Sequence, residues 1–410
     1  MQEKATVNAK SMQHQNIDYS LIEKKISDIY PKIVEYRRFL HQNPELSGEE
    51  QETAQFIINR LNQLGIPCSK IAGNGVIAMI TGNGTKNKTL GIRADIDALP
   101  IEETTGLSYS SKRPGIMHAC GHDMHTAILL GTASVLNEMK DQLNGNIKLF
   151  FQPAEETTGG AAQMIREGCL HHPDVDAVLG LHVSETIPLG TIEFRYGIMN
   201  AASTEFYLDI IGKSCHGAHP EEGVDAIIIA GNIIGALQTI ITRNLDPTQP
   251  LIITIGKIQG GTKENIIADH VLMSGILRSL DYEHRDFAKE RIIDICNNIA
   301  AAYGGSCEIT FQDYYPPLKN DDDLITLMSN IAKKLVGEAQ VSFRSNPSLG
   351  ADDFAFFCHE VPSAYFNIGA ADISKGTPAP AHSGNFNPKE DCMRYGVMME
   401  VLCILELLAK

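Results

Sequence analysis

The run Asn146-Ile-Lys-Leu-Phe-Phe-Gln-Pro-Ala-Glu-Glu-Thr157 carries the fold argument in miniature. Its first part is apolar and rich in strand-forming residues, and it predicts a buried strand over 146–151. Two adjacent carboxylates, Glu155 and Glu156, come straight after that strand and the Pro153-Ala154 pair, where solvated charge gains the fold nothing. The same grammar extends outward. Upstream, residues 76–81 and 89–94 read as strands joined by a Gly/Asn/Lys turn, and the second delivers Asp95-Ile-Asp-Ala-Leu-Pro100. Downstream, a helix over 160–167 leads to a strand over 177–181 that delivers His182. Helices are expected over 49–64, stopped by Gly65 and Pro67, and around 126–139. Strands alternating with helices predict an α/β fold whose mainly parallel sheet is covered on both faces. Functional groups in such sheets lie beyond the carboxyl ends of the strands.

The order changes between residues 201 and 315. Strand 204–212, helix 224–242, strands 251–259 and 271–280, helix 282–303 and strand 306–313 follow one another, which is the βαββαβ order of a ferredoxin-like unit. The expected organisation is a disordered tail over 1–20, a larger domain from 21–200 and 316–410, and an inserted α+β domain over 201–315. Helical patterning resumes over 322–335 and 390–408, around the loop Gly350-Ala-Asp-Asp-Phe354 and a strand over 364–368. Near the start, Ile22, Ile26, Ile29, Ile33, Tyr36 and Leu40 mark one face of a helix, with Pro31 predicting a kink or a restart capped by Asp28.

Composition narrows the function classes. A chain of 410 residues with 43% hydrophobic and 20% charged residues is long enough for two folded domains. Its net charge of -16 opposes binding to nucleic acid or anionic lipid. The longest apolar stretch, 226–241, is interrupted by Asn232 and Gln238 and falls short of the roughly 20 residues that span a bilayer. Nine cysteines without a paired short spacing, and a polar 1–15 segment without the apolar core of a secretory signal, lead us to expect a reduced, cytoplasmic protein.

The stretch His118-Ala-Cys-Gly-His-Asp-Met-His125 places three imidazoles, a thiol and a carboxylate in eight residues. Imidazole and thiolate bind borderline-soft divalent ions, so it reads as half of a metal site. A polar loop with Asp123 capping a helix over 124–136 would explain only Asp123. Together with Asp95 or Asp97, Glu155 and Glu156, His182 and His382, these groups come from five strand-end loops. Neighbouring glutamates on a loop point in different directions, so one can ligate while the other acts as a base.

Five ordered runs, Arg93 to Pro100, His118 to His125, Phe151 to Glu156, Gly180 to Val183 and His216-Gly-Ala-His-Pro220, resemble the aminoacylase/carboxypeptidase family of dinuclear metallohydrolases. The branch they are most similar to holds hippurate hydrolases, N-acyl-amino-acid amidohydrolases and auxin-conjugate hydrolases, and the likeness covers about residues 30 to 405. The resemblance implies metal ligation by Cys120, His122, Glu156, His182 and His382, with Cys120 bridging two ions. It implies Glu155 as general base, Asp97 as a support for a ligand, and His216 reaching across a dimer interface to the oxyanion. Asn265 and Arg278 would meet a substrate carboxylate. Two divalent ions follow, zinc or manganese first and cobalt or nickel next, together with a small N-acyl amino acid substrate. Partners would be a second copy in a homodimer, or a tetramer built as a dimer of dimers, joined through an inserted lid domain. A dipeptidase or carboxypeptidase with the same ions is the alternative. Departures occur at Glu221, at Gly275-Ile-Leu-Arg278, at Asn265-Ile-Ile-Ala268 and at Asp352; roles for His118, His125, His219 and Asp352 stay open.

Overall fold

In the computed structural model the described residues are 17–84, 88–372, 374 and 379–409. Most of the expected N-terminal tail, residues 1–16, lies outside them, and the helix begins earlier than residue 21. The Asp18 carboxylate accepts hydrogen bonds from the Ser20 and Leu21 N–H groups and so caps α1 (Tyr19–Gln42). Pro31 neither ends nor restarts this helix. Ile22, Ile26, Ile33 and Leu40 bury one face of α1 in the main core, and that packing offsets the hydrogen bond that proline cannot donate.

The chain continues through α2 (Gln51–Gln63), β1 (Cys68–Ile71), β2 (Gly75–Thr81), β3 (Thr89–Asp95), α3 (His122–Glu138), β4 (Asn146–Gln152), α4 (Gly160–Arg166), β5 (Ala177–Pro188), β6 (Ile192–Phe194) and β7 (Ile198–Asn200). A second unit follows: β8 (Ala202–Ile211), α5 (Ala226–Thr239), β9 (Leu251–Gly260), β10 (His270–Ser279), α6 (Tyr282–Ala302) and β11 (Ser306–Tyr315). The last segment holds β12 (Leu318–Lys319), α7 (Asp322–Val336), β13 (Val341–Phe343), α8 (Ala355–Glu360), β14 (Ser363–Ala371) and α9 (Cys392–Ala409).

The result is an α/β fold built on an eight-stranded sheet in the order β1-β2-β4-β3-β5-β14-β6-β13. Strands β4, β3, β5 and β14 run parallel to one another, as do β6 and β13, and antiparallel pairings occur at β1–β2, β2–β4 and β14–β6. Strands β2 and β3 are therefore not neighbours, because β4 lies between them. Alternation along the strands feeds two cores. Ile92, Leu149 and Leu179 face α1, α3 and α9, while Phe150, Val178 and Tyr365 face α4 and α8. Helix α3 is buried over most of its length, with Gly131 admitting Ile33 of α1, and an apolar-all-round helix belongs at such a centre.

The second unit has its own core, where Ile229, Ile233 and Leu237 of α5 and Ala288, Ile292 and Cys296 of α6 cover a four-stranded antiparallel sheet in the order β11-β8-β10-β9. Strands β7 and β12 pair with each other where the chain enters and leaves this unit. By length and composition alone the helix over Ala226–Asn244 also passes as a membrane span, with a mean hydropathy of 1.5, and a third of it is buried against this sheet.

Candidate metal centre

Three parallel strands bring the chemistry to one rim. Strand β3 ends at Asp95, the chain after β4 supplies Glu155 and Glu156, and β5 carries His182. His182 lies within its strand and not beyond it, because β5 continues to Pro188 in register with β14. Gly121 turns the chain into α3 with φ +94, and a Cβ there would meet Val183 Cγ2 at 2.5 Å, so glycine is required where Cys120 and His122 straddle the helix start. Asp123 is consequently not the helix cap. It lies inside the first turn, buried, with its Oδ2 3.0 Å from Arg37 Nε and 2.8 Å from His41 Nδ1.

Cys120 belongs to two clusters of potential donors. Cys120, His122 and His182 form one and Cys120, Glu156 and His382 the other, each with its ligand atoms within 4.8 Å of one another. Cys120 Sγ lies 3.4 Å from His182 Nε2, and Glu156 Oε1 lies 3.3 Å from His382 Nε2 and 3.9 Å from His122 Nε2. His122 Nε2 and Glu156 Oε1 are buried and hydrogen-bond to nothing among the described residues. Buried polar atoms without partners are expensive, and two of them aimed into one space mark a place for a ligand. A thiol, three imidazoles and a carboxylate make a donor set that fits two divalent ions.

Electrostatics point the same way. Burial disfavours a charged His122, yet Asp95, Cys120 and Asp97 outweigh it and hold its pKa well above the ordinary value. Burial likewise opposes ionisation of Asp95, but His122, Arg93 and His125 keep its pKa well below the usual range. The site thus calls for positive charge where His122 stands. Burial raises the Cys120 thiol, so a metal cation is what would draw out its thiolate. Glu155 is buried, and desolvation followed by repulsion from Asp352, Glu156 and Asp353 lifts its pKa well above 4.5.

Supports around this cluster are explicit. Asp97 accepts from the Ser47 hydroxyl at 2.7 Å, from the Glu156 N–H at 3.0 Å and from His122 Nδ1 at 3.2 Å, so its oxygens are engaged and His122 Nε2 is aimed at the centre. The open question of His125 closes. Its Nδ1 donates to Asp95 at 2.6 Å and its Nε2 accepts from the Val183 N–H at 2.9 Å, which leaves no lone pair for a metal. His118 is buried with both ring nitrogens unpaired, its pKa lowered to about 4 by burial, and it belongs to none of the donor clusters among the described residues. Asp352 accepts from the Tyr365 hydroxyl and pairs with Arg93 at 3.2 Å.

A cavity of about 430 Å³ opens over the cluster, and its lining includes Cys120, Glu155, Glu156, His182 and His382 together with Arg278 and Arg344. Arg278 forms no ion pair among the described residues, and desolvation lowers its pKa. His216 and Asn265 are not brought there: both are exposed on the four-stranded unit, where His216 bridges Ile266, and neither lines the cavity. His219 is exposed beside them, 3.7 Å from Glu221. Sequence reading gave no role to Arg93, whose guanidinium lies 2.7 Å from Asp95, 2.8 Å from Asp353 and 3.2 Å from Asp352 beneath the centre. An arginine inside the apolar run 89–95 was the available signal, since a buried charge needs partners. Arg344, fixed by Glu193 at 2.9 Å, and Tyr315, whose hydroxyl donates to the Glu155 carbonyl, carried no such signal.

A mainly parallel α/β sheet presenting a thiol shared between two donor clusters, beside a buried glutamate, defines a metal-dependent hydrolase. The chain belongs to Peptidase family M20/M25/M40, which matches residues 91–406. It is 43% identical over 345 residues to the N-acetyl-L-cysteine deacetylase of Bacillus subtilis, covering 84% of this chain and 82% of that protein. It is 38% identical over 394 residues to thermostable carboxypeptidase 2 of Saccharolobus solfataricus, covering 94% and 98%. The crystal structure of the Bacillus subtilis YXEP protein, described as a dinuclear metal-binding peptidase of the M20 family, superposes with a TM-score of 0.81 at 32% identity over 93% of this chain and 99% of that one.

Proposed function

We propose that this protein is a cytoplasmic amidohydrolase that splits N-acyl amino acids into a carboxylic acid and a free amino acid. The observation that carries the reading is Cys120 common to two donor clusters, with Glu155 and an Arg278 that forms no ion pair among the described residues lining the same cavity. Cys120, His122 and His182 with Glu156 and His382 would hold two divalent ions, zinc or manganese. When bound, such ions polarise the scissile carbonyl and acidify water. Glu155 takes the proton from the attacking water and hands it to the departing nitrogen. For that work it must start ionised, and cations on the neighbouring donors would pull its raised pKa down. Arg278, with five donors and no carboxylate of its own, would receive the substrate carboxylate in a bidentate fork.

Residues 201–315 would act as a lid and dimerisation domain. Supporting this, Ile227 and Ile228 on α5 are half exposed, Ile258 on the sheet-edge strand β9 is 55% exposed, and β9 ends beside Ile227. An open strand edge beside an apolar helix face suits a second copy of the chain. In that arrangement the exposed His216 would reach the partner's cavity to steady the oxyanion, with Asn265 beside it. The deacetylase named above acts, by its name, on an N-acetyl amino acid, which favours this substrate class. The carboxypeptidase relative is the observation behind the second reading, cleavage of peptides with the same ions. Turnover of N-acetyl and N-benzoyl amino acids against dipeptides, with zinc- or manganese-loaded protein, separates the two: faster hydrolysis of dipeptides overturns the first.

A further inference from the structure

The peptide joining Glu155 to Glu156 is gripped at both ends, and the two grips come from different units. On its nitrogen side the Glu156 N–H donates to Asp97 Oδ2 at 3.0 Å, within the eight-stranded body. On its carbonyl side Glu155 O accepts the hydroxyl of Tyr315, the last residue of β11 in the four-stranded unit. Holding the C=O and the N–H fixes the plane of that peptide, and so constrains the backbone angles on either side from which the two glutamate side chains leave.

We propose that Tyr315 is a positioning residue for Glu155, which ties the four-stranded unit to the loop that carries the base. The inference rests on the reading of Glu155 as base given above. Several observations support it. The loop leaves β4 through Ala154 at φ +54, a backbone region that residues with a side chain rarely adopt, so it does not hold its shape unaided. Glu50 accepts the Ala154 N–H at 2.8 Å, and the Gly159 N–H donates back to Ala154 O at 3.0 Å, so the remaining anchors also serve to hold this turn. The pairing of β11 with β8 shifts register between Asp313 and Tyr315, and such an irregularity re-aims the side chain that follows it. The Tyr315 ring is seated as well as its hydroxyl. It meets Phe356 edge-on with centroids 6.2 Å apart, and it occupies the space where a Cβ on Gly159 would come within 2.8 Å of its Cε1. Among the described residues, Tyr315 and Arg278 are the only members of the four-stranded unit on the cavity wall. The four-stranded unit is thereby joined to the base loop through the hydrogen bond of the Tyr315 hydroxyl.

Tyr315→Phe removes the hydroxyl and leaves the ring in its seat. Measured well below each variant's Tm on the N-acyl substrate that the wild type hydrolyses, kcat is expected to fall about tenfold or more, as for other misplacements of a catalytic group. KM should stay within about twofold, because no substrate contact is removed. Metal content should equal that of the wild type, and Tm should fall by no more than about 2 °C. Unchanged kcat overturns the proposal, and so does a fall in kcat matched by lost metal or lost fold. Glu155→Gln is assayed alongside. If it retains wild-type turnover, the reading of the base and this inference fail together; if it is inactive while Tyr315→Phe is unimpaired, only the inference fails.

Discussion

Cys120 and Arg93 show how much one side chain decides here. Cys120 is the member common to both donor clusters, so Cys120→Ala should lose metal and turnover together, checked by elemental analysis of the purified variant. Arg93 sits 1% exposed among the carboxylates of Asp95, Asp352 and Asp353, and removing it strands three buried acids beneath the centre. Arg93→Met should cost about 3–5 kcal/mol in denaturant unfolding, the usual consequence of breaking a buried ion pair from one side. Residue types with no packing rationale, such as a thiol and three imidazoles at a helix start, announced the centre in the sequence. Tyr315 and Arg344 were silent because a tyrosine or arginine is ordinary wherever it falls, and their importance comes from the fold that swings them to the cavity.

At the scale of elements, α3 and α9 pack so closely that a buried acid is trapped between them. Burial pushes the Glu400 carboxyl from 4.5 up to about 8, with the Thr132 hydroxyl donating to it at 2.6 Å. A raised carboxyl pKa means that the folded state prefers the protonated form. Below about pH 4.5 both states hold the proton and nothing is lost; between about 4.5 and 8 folding is progressively penalised. At about 1.4 kcal/mol per pH unit, Glu400→Gln should be nearly neutral at pH 4.5 and stabilising by roughly 3 kcal/mol at pH 7, read from chemical denaturation at the two pH values. Gly121→Ala tests another element boundary. Its Cβ would meet Val183 at 2.5 Å in a left-handed conformation, so metal affinity should fall as the start of α3 shifts. Long periodic elements were legible, including α1, α7 and α9 and all six members of the βαββαβ unit. The three-residue strands β6, β7 and β13 were not, since so few residues show no period. The restart at Pro31 and the far end of β5 were misread because tertiary packing and pairing with β14 overrode local signals.

The whole molecule places a cavity with two cationic side chains between an acidic metal rim and a separate four-stranded unit. The exposed Ile227, Ile228 and Ile258 belong to that unit, and a pair of charges there, as in Ile227→Lys with Ile258→Glu, should convert the proposed dimer to monomers in sedimentation while leaving Tm within about 4 °C. Beneath these predictions lies one claim: two ions share a thiol in front of a glutamate base. Its most direct test is the number of ions retained per chain after loading with zinc or manganese and removal of the excess. The arrangement predicts two for the wild type and for Glu155→Gln, and one or none for Cys120→Ala. Two ions in the Cys120→Ala protein, or none in the wild type, would contradict it.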